Sequence, residues 1–349
     1  MKTVTIDGVA IGPGHPPYIV AELSANHNGS LEKALATIDE AKRRGAHAIK
    51  LQTYTADTMT IDSDRPEFRI HGGLWDGFKL YDLYQWAQTP FEWHQAMFEH
   101  ARQLGLTVFS TPFDETAVDL LEELDAPAYK IASFELTDLP LVAYVARTGK
   151  PMIMSTGMAS EQEIDDAVAT ARNAGCDELV LLHCVSSYPA PMDQANLAQV
   201  TALGKRFDVV PGLSDHTLGT TASVAAVALG ACLIEKHFML SREDRSPDSG
   251  FSIEPDELER LCTDTRQAWE AVGQQGFERV SAEDSNRTFR RSIYFVRDLA
   301  AGHKVEPGDI RRIRPGLGLP PRHFEALMGR TLARDVSRGT PTDWDCFDD

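Results

Sequence analysis

The 349-residue sequence is short of cysteine, of positive charge and of long apolar runs. Its five cysteines are scattered without CxxC spacing, and their odd number argues against a disulfide framework. The 34 basic residues are outnumbered by 52 acidic ones, and a net charge of −18 argues against binding to nucleic acid. The N-terminus, MKTVTIDG, has no apolar signal-peptide core, and the longest uncharged run, 217–234, is diluted by Thr, Ser, Gly and Ala. We therefore expect no membrane span and a cytoplasmic protein.

The acidity is confined to the first part of the chain. Residues 1–278 contain 21 basic and 41 acidic residues, whereas from Arg279 to the end there are 13 basic and 11 acidic ones. This contrast predicts two units of different electrostatic character.

Before residue 280, short apolar runs alternate with amphipathic helical patterns. The eight candidate strands are residues 18–23, 47–53, 106–112, 128–133, 151–156, 178–184, 209–215 and 232–238. Helix starts are predicted by Ser30 and by capping boxes at 89–92 and 160–163. Eight βα units predict an α/β fold, a (β/α)₈ TIM barrel over residues 1–280, with a doubly wound open sheet as the alternative.

Two stretches do not fit a plain barrel. The connection 54–88 is too long for a barrel loop, and its many aromatic residues argue against disorder and favour a functional lid. A polar linker at 281–288 is followed by short strand-like runs with tight Gly and Pro turns. Residues 289–349 are therefore predicted to form a small β-rich domain, which is marginal alone and docks on another surface.

Polar residues recur where the candidate strands end. Because ligands of TIM barrels bind at the carboxyl ends of the strands, these residues predict a catalytic face. They are Glu22, Lys50, Gln52, Ser110, Thr111, Lys130, Ser133, Glu135, Ser155, Thr156, His183, Ser186, Ser214, Asp215, His216, Glu235 and His237. We expect the side chains of Lys50, Lys130 and Lys236 to point into one mouth, where lysines and hydroxyls suit a phosphate or carboxylate.

Two histidines, His216 and His237, follow the seventh and eighth strands, which are neighbours in a closed barrel. Two imidazoles with nearby oxygens favour an octahedral Mn²⁺ or Mg²⁺ over a structural zinc, although zinc stays open. Lys130 is either a salt-bridge partner or the Schiff-base lysine of an aldolase. These residues predict a barrel enzyme that acts on a small anion with a divalent metal, and they leave the reaction open.

Eight runs, in chain order, carry a resemblance to a known family. They are AELSANHNG, IKLQT, FSTPFD, YKIAS, STGMAS, LLHCVSSYPAP, GLSDHT and EKHF. The sequence resembles the sialic acid synthase family, whose members are nonulosonic acid synthases that condense phosphoenolpyruvate with an N-acetylated sugar. The resemblance covers nearly the whole chain, and the part from about Arg290 is similar to the family's antifreeze-like (SAF) domain.

The resemblance implies a role for most of the residues at the strand ends. His216 and His237 would hold the divalent ion, usually Mn²⁺ with Mg²⁺ or Co²⁺ as alternatives, and Glu22 or Glu135 would be the stabiliser or base. Phosphoenolpyruvate would be bound by Lys50, Thr111, Lys130, Ser133, Ser155, Ser186 and Ser214. The open-chain sugar would be bound by Gln52, Tyr188, Glu135 and Asp248. The resemblance also implies a domain-swapped homodimer in which Arg314, before Pro-Gly, contacts the N-acetyl group of the sugar in the partner subunit.

Two features bear on the branch of the family. Ser186 stands where N-acetylneuraminate synthases have the Asn of a CTNxYP motif, and LWDGFKLYDLYQWAQTPFEW resembles the pseudaminic acid synthase signature LWxGxxLYxLYxxAxTPxEW. That branch takes 2,4-diacetamido-2,4,6-trideoxy-altrose, whose methyl and second N-acetyl group would suit an aromatic lid. The alternatives are an N-acetylneuraminate or legionaminate synthase, a Lys130 Schiff-base aldolase and a carbohydrate-binding role without catalysis.

Overall fold

The computed structural model of the protein describes residues 2–273 and 276–348. The chain divides into two compact units, Met1–Gly273 and Gln274–Asp349. In the part of the chain that is described, no helix is both long and apolar enough to cross a membrane.

The first unit begins with a β-hairpin that the strand patterns did not predict. Strands β1 (Val4–Ile6) and β2 (Val9–Ile11) pair antiparallel around Asp7 and Gly8, both of which have positive φ. Such a backbone is typical of the two-residue Asp-Gly turn. The buried side chains of the hairpin pack with apolar residues of the barrel strands. The hairpin therefore adds to the core inside the barrel.

Eight parallel strands form a closed barrel, as predicted. They are β3 (Tyr18–Glu22), β4 (Ala48–Thr53), β5 (Thr107–Pro112), β6 (Tyr129–Ile131), β7 (Met152–Ser155), β8 (Leu179–Cys184), β9 (Val210–Asp215) and β10 (Leu233–His237). Each strand falls within its predicted run, and β10 pairs with β3 to close the barrel. The doubly wound alternative is excluded because an open sheet has no such closing pair.

Ten α-helices accompany these strands in the described residues. They are α1 (Leu31–Arg43), α2 (Ala56–Met59), α3 (Leu80–Ala87), α4 (Phe91–Gln103), α5 (Glu115–Glu123), α6 (Leu139–Ala146), α7 (Glu161–Asn173), α8 (Ala198–Phe207), α9 (Thr221–Ala228) and α10 (Pro255–Val272). The Ser30 cap and the capping box of Ser160 and Glu163 are present. The box predicted at 89–92 was wrong, because the Thr89 hydroxyl lies 3.2 Å from Nε2 of the buried His27 instead.

Side chains of the barrel strands alternate between two apolar clusters. In β3, Tyr18 and Val20 belong to the cluster inside the barrel, whereas Ile19 and Ala21 belong to the cluster between strands and helices. The same alternation holds in β10, where Leu233 lies inside and Ile234 outside. Because successive residues of a strand point to opposite faces, this alternation decides which polar residues at the strand ends face the barrel mouth.

Residues 54–88, here called the lid segment, connect β4 to α4. They are ordered into α2, α3 and a loop closed by a bridge between Arg69 and Lys79. The rings of Phe78 and Trp86 stack with their centroids 6.0 Å apart. The aromatic residues therefore hold the lid segment together by packing on one another.

The second unit is small and β-rich. Strands β11 (Ser292–Phe295) and β12 (Ile310–Ile313) pair antiparallel, and the remaining chain forms isolated bridges and short 3₁₀ turns. Its core is built by Ile293, Phe295, Val305, Ile310, Leu327, Leu332, Val336, Cys346 and Phe347. Residues Ser281–Phe289, which precede it, form exposed 3₁₀ turns.

Candidate active site

The polar residues at the ends of β4, β6 and β10 divide between two faces of the barrel wall. Lys50, Lys130 and Glu235 point inward, because each is two residues from a side chain of the interior apolar cluster. Lys236 points outward, where its Nζ lies 2.8 Å from Asp215 Oδ2. The predictions that Lys236 points into the mouth and that Asp215 lies on the catalytic face were wrong, because successive strand residues alternate between faces and both side chains fall on the outer one.

The inward face carries a buried cluster of two lysines and two glutamates. Lys130 Nζ lies 2.7 Å from Glu235 Oε1, and the Ser214 hydroxyl donates to the same oxygen at 3.0 Å. Lys50 Nζ lies 2.9 Å from Glu22 Oε2 and 3.8 Å from Glu235 Oε1. Glu235 therefore links both lysines, and we call Glu22, Lys50, Lys130 and Glu235 the inner charge cluster.

Two further residues tie this cluster to neighbouring strands. Lys50 donates to the Thr111 hydroxyl at 3.1 Å, and Gln52 Nε2 donates to Glu22 Oε1 at 2.9 Å. Gln52 also lines the cavity described below. Gln52 thus contacts both the inner charge cluster and the cavity.

The charges of the inner cluster are unequal. Burial would raise the pKa of Glu235, but Lys130 and Lys50 outweigh burial and hold that pKa at about 2. For Glu22, burial outweighs the attraction of Lys50 and raises the pKa of its carboxyl. Burial lowers the pKa of Lys130 in spite of Glu235. Two ammonium groups thus face one firmly ionised carboxylate and a second carboxyl shifted towards its neutral form, which suits the binding of an anion.

His216 and His237 face each other beside this cluster, with ring centroids 5.3 Å apart. His216 Nδ1 lies 3.2 Å from the Val185 carbonyl oxygen. In the tautomer that carries the proton on Nδ1, this nitrogen donates to the carbonyl and the lone pair of Nε2 is free. His237 Nδ1 is buried without a hydrogen-bond partner and lies 3.6 Å from Asp248 Oδ2. Two imidazoles with uncommitted nitrogens fit the predicted divalent cation.

Residues 2–273 and 276–348 contain no cluster of three or more His, Cys, Asp or Glu side chains that could hold a metal. A cation held by His216 and His237 would need further ligands besides these two imidazoles.

A cavity of about 480 Å³ opens above the cluster. Its lining combines polar side chains, with Gln52, Glu135 and His237 among them, and apolar ones, which include the lid residues Ile70 and Leu83. The lining also has seven aromatic side chains, those of Tyr54, Trp75, Tyr84, Phe113, Phe134, Tyr188 and Phe251. A cavity of this size with both polar and apolar lining suits a small molecule that is itself amphipathic.

The lid segment is anchored to the histidines through aromatic contacts. Trp75 Nε1 donates to the Pro247 carbonyl at 3.0 Å, and the Trp75 ring lies 5.6 Å from the ring of Tyr188. The Tyr188 ring in turn lies 4.6 Å from the His216 ring. Aromatic residues of the cavity lining thus connect the lid segment to the histidine pair.

Glu135 lines the cavity. Its Oε2 is buried without a hydrogen-bond partner, and burial raises the pKa of the carboxyl to about 7. A carboxyl with this pKa can hold or release a proton at neutral pH.

The arrangement can be set beside known proteins. Residues 37–276 match the NeuB family model, and residues 290–348 match the SAF domain model. The chain belongs to the NeuB family. The pseudaminic acid synthase of Campylobacter jejuni (serotype O:2) is 44% identical over 322 residues, which cover 92% of this chain and 94% of that protein.

Two further relatives extend the comparison. The pseudaminic acid synthase of Helicobacter pylori is 42% identical over 328 residues, covering 93% of this chain and 96% of that one. The N-acetylneuraminic acid synthetase of Leptospira borgpetersenii, solved with citrate, is 32% identical with a TM-score of 0.74, covering 82% of this chain and 95% of that one. The barrel architecture of this NeuB-family protein is therefore shared by a solved synthase.

The remaining predicted residues of this NeuB-family chain occupy different places. Ser133 accepts a hydrogen bond from the Gly157 amide at 3.1 Å, and the Ser155 hydroxyl is buried without a partner. Ser186 Oγ lies 3.7 Å from Cys184 Sγ, and Tyr188 and Asp248 line the cavity. Arg314 is exposed on the second unit.

Sequence reasoning noted Glu235 but gave it no role. In the structure Glu235 is the partner of Lys130 and lies 3.8 Å from Lys50. The signal was available, because in LIEKHF the inward positions alternate from Leu233 to Glu235 and His237. Other lining residues such as Tyr54 and Phe113 had no signal, since aromatic residues after a strand are equally typical of core packing.

Proposed function

We propose that this NeuB-family protein condenses phosphoenolpyruvate with open-chain 2,4-diacetamido-2,4,6-trideoxy-altrose to give pseudaminic acid and phosphate. The observation that carries the proposal is the contact between the two halves of the site. Gln52 joins the inner charge cluster, which suits a small dianion, to a largely apolar cavity, which suits a deoxygenated and acetylated sugar. The identity to pseudaminic acid synthases of two organisms supports the same choice of sugar.

The inner charge cluster would bind phosphoenolpyruvate. Lys130 and Lys50 supply the positive charge, while Glu235, with its pKa held at about 2, orients both lysines. The Ser155 hydroxyl, which is buried without a partner, is available to donate to a phosphate or carboxylate oxygen. Thr111, Ser133, Ser186 and Ser214 would complete this half of the site.

Condensation would form a bond between C3 of phosphoenolpyruvate and the aldehyde carbon of the sugar. The aldehyde oxygen gains a proton, water adds to the cation left at C2, and phosphate leaves with cleavage of its C2–O bond. His216 and His237 would hold a divalent ion, most simply Mn²⁺, which would polarise the aldehyde oxygen as a Lewis acid. The rest of the reaction needs groups that position the substrates and move protons.

Glu135 suits the proton transfer at the sugar. It lines the cavity, and burial raises the pKa of its carboxyl to about 7, so that the protonated and ionised forms are close in energy. Glu22 contacts both Lys50 and Gln52, and in its ionised form, which Lys50 favours against burial, its carboxylate would stabilise the cation at C2. We therefore propose Glu135 as the proton-transfer group and Glu22 as the stabiliser.

The sugar would lie with its aldehyde end towards His237 and its C6 methyl towards the lid segment. Among the lining residues, Ile70 and Leu83 of the lid segment supply apolar atoms, and Asp248 and Gln52 supply polar ones. Burying a methyl group stabilises the complex by about 1–3 kcal/mol, which is enough for preference between related sugars.

We also propose that the protein is a cytoplasmic, domain-swapped homodimer of a barrel (1–280), a linker (281–288) and a SAF domain (289–349). Arg314 of one subunit would contact the N-acetyl group of the sugar in the barrel of the other. The contrast between an acidic barrel sequence and a slightly basic C-terminal part supports such docking. An Arg314→Ala variant should raise KM for the sugar without changing KM for phosphoenolpyruvate.

The proposal is tested by phosphate release from phosphoenolpyruvate with Mn²⁺, comparing the trideoxy sugar with N-acetylmannosamine and with a chelated control. Release with the trideoxy sugar alone is expected. Preference for N-acetylmannosamine would contradict the choice of sugar and favour a neuraminate synthase. Because the pKa of Lys130 is lowered by burial, as in a Schiff-base lysine, borohydride is added as a further arm. A trapped adduct at Lys130 would contradict the proposed reaction.

A matched pair of lid variants tests the orientation of the sugar. Ile70 lines the cavity, whereas Ile61, in the same segment, is 63% exposed and is not among the lining residues. Ile70→Ala should raise KM for the trideoxy sugar by about tenfold. Ile61→Ala should leave it unchanged, and equal effects of the two variants would contradict the proposed orientation.

A further inference from the structure

A second ion pair lies on the outer face of the barrel wall, one residue away from each histidine. Lys236 and Asp215 are adjacent in the register of β10 and β9, and Lys236 Nζ lies 2.8 Å from Asp215 Oδ2. Their exposed fractions are 1% and 3%. Each residue immediately precedes one member of the pair His216 and His237. We call Asp215 and Lys236 the outer pair.

The outer pair is closed by hydrogen bonds. Asp215 Oδ1 accepts from the Thr217 amide at 2.9 Å and from the Thr217 hydroxyl at 2.7 Å. Asp215 Oδ2 accepts from the Ser223 hydroxyl at 2.6 Å as well as from Lys236. Lys236 also donates to the Thr217 carbonyl at 2.7 Å. Each carboxylate oxygen therefore has two donors, and the bonds join β9, β10 and the start of α9.

These bonds enclose the backbone of His216. The residues on both sides of it, Asp215 and Thr217, are bonded to each other and to Lys236. On the next strand, the backbone of His237 follows directly from Lys236. The backbone positions of both histidines are thus set by one group of bonds on the face opposite to the histidine rings.

We propose that Asp215 and Lys236 are positioning residues, which hold the ends of β9 and β10 so that His216 and His237 can share one divalent cation. The inference rests on the proposed function, in which these histidines bind the metal. Groups behind metal ligands typically change metal affinity or activity by about 10–100-fold when they are removed. Asp215 and Lys236 act through backbone atoms, so the lower end of this range is expected.

Stability alone does not account for such a pair. Replacing both partners of a buried ion pair by uncharged residues is often neutral or stabilising, whereas removing one partner leaves an uncompensated buried charge. A double variant therefore separates the two roles. If the pair serves only stability, the double variant recovers everything that the single variant loses.

The experiment compares Lys236→Met with the double variant Asp215→Asn, Lys236→Met in the full chain. Mn²⁺ binding is followed by the electron paramagnetic resonance signal of the free ion, thermal unfolding by calorimetry, and kcat and KM by phosphate release. The single variant should have a lowered Tm. The double variant should recover Tm towards the wild-type value, yet bind Mn²⁺ about tenfold more weakly, with kcat lowered and KM for phosphoenolpyruvate unchanged.

Thr53→Val is the matched control for a loss of buried hydrogen bonds elsewhere in the barrel. The Thr53 hydroxyl lies 2.8 Å from His94 Nε2 and 2.6 Å from Ser110 Oγ, on the outer face of β4. Its loss should lower Tm and leave the Mn²⁺ dissociation constant unchanged. A fall in Mn²⁺ affinity with this variant too would overturn the proposal, because any destabilisation would then suffice.

Two other outcomes also decide the matter. Recovery of both Tm and Mn²⁺ affinity in the double variant would overturn the positioning role and leave the proposed function intact. If the His237→Ala variant binds Mn²⁺ as tightly as the wild type does, the proposed metal site and the positioning role are both overturned.

Discussion

Strand β10 carries two buried charged groups side by side, and they differ in how completely their polar atoms are bonded. Glu235 belongs to the inner charge cluster, around which Ser155 Oγ, Glu135 Oε2 and His237 Nδ1 are buried without hydrogen-bond partners. Lys236 belongs to the outer pair, in which each Asp215 oxygen has two donors. Glu235 and Lys236 are both buried, with exposed fractions of 4% and 1%, so burial does not distinguish the two groups.

The difference shows how a buried polar group reveals its role. An unsatisfied polar atom inside a protein costs about 1–3 kcal/mol, so several of them in one place are tolerated where a ligand will complete them. A closed network needs no ligand and instead fixes the backbone. On this reasoning we propose that the inner face of β10 binds the ligand, whereas the outer face positions the strand backbone.

The largest expected effects come from two single variants, in which Lys130 of the inner charge cluster or Lys236 of the outer pair is replaced by methionine. Lys130→Met should lower kcat/KM for phosphoenolpyruvate by about 10³-fold or more, because a charge that faces the anion is lost. Lys236→Met should instead lower the free energy of unfolding by about 3–5 kcal/mol, because Asp215 stays buried without its partner. Phosphate release and denaturant unfolding measure the two effects.

Lys130→Met should cost less stability than Lys236→Met. After the loss of Lys130, Glu235 still has the Ser214 hydroxyl at 3.0 Å and Lys50 at 3.8 Å. Equal losses of stability, or equal losses of kcat/KM, would show that the two faces of β10 do not differ in role.

Glu135 provides the next largest effect, through pH. Its pKa is raised from 4.5 to about 7 by burial, so the folded protein holds this proton more tightly than the unfolded chain. The stability that this group contributes is fully present below pH 4.5 and is lost as pH rises through 7, by about 3 kcal/mol. Glu135→Gln should lack this loss and be more stable than wild type at pH 8, as urea unfolding at pH 4.5 and pH 8 would measure.

The same variant also tests the proton transfer. Glu135→Gln should lower kcat by about 10²–10³-fold, because an amide cannot exchange the proton. An unchanged pH dependence of stability in Glu135→Gln would show that the carboxyl is not buried as described.

The smallest effect comes from a matched pair of serines. Ser155→Ala removes a buried hydroxyl that has no partner, and should change stability by less than about 0.5 kcal/mol while raising KM for phosphoenolpyruvate about threefold to tenfold. Ser223→Ala removes a donor to Asp215 and should cost about 1 kcal/mol of stability without changing that KM. If Ser155→Ala lowered stability and Ser223→Ala raised this KM, the assignment of ligand binding to the inner charge cluster and of positioning to the outer pair would be reversed.

Much of the fold could be predicted because it depends on local patterns. Apolar runs of strand length alternate with amphipathic helices, and all eight barrel strands lie within their predicted runs. The hairpin at 4–11 was not predicted although Asp7-Gly8 is a strong turn signal, because each of its strands spans only three residues and shows too little alternation to stand out. Thr89 failed as a helix cap because its hydroxyl bonds to His27, which comes from a distant part of the chain.

The candidate site could be predicted in part for the same reason. Strand ends and residue types indicated an anion pocket with a histidine pair, and the structure brings Lys50, Lys130 and Glu235 together inside the barrel. The outward direction of the Lys236 side chain could have been predicted from the alternation of residues along β10. The raised pKa of Glu135 could not be predicted, because it arises from burial of the carboxyl in the folded protein.

Sequence by itself determined the βα repeat, the positions of the strands and the family, because these depend on apolar periodicity and on short ordered motifs. Only the tertiary structure decided which charges meet, since Lys130 and Glu235 are 105 positions apart and are joined by closure of the barrel. It also decided which buried atoms have partners, as with Asp215 and Ser155. The physical reason is that hydrogen bonds, burial and pKa values depend on distances in space, which local patterns do not specify.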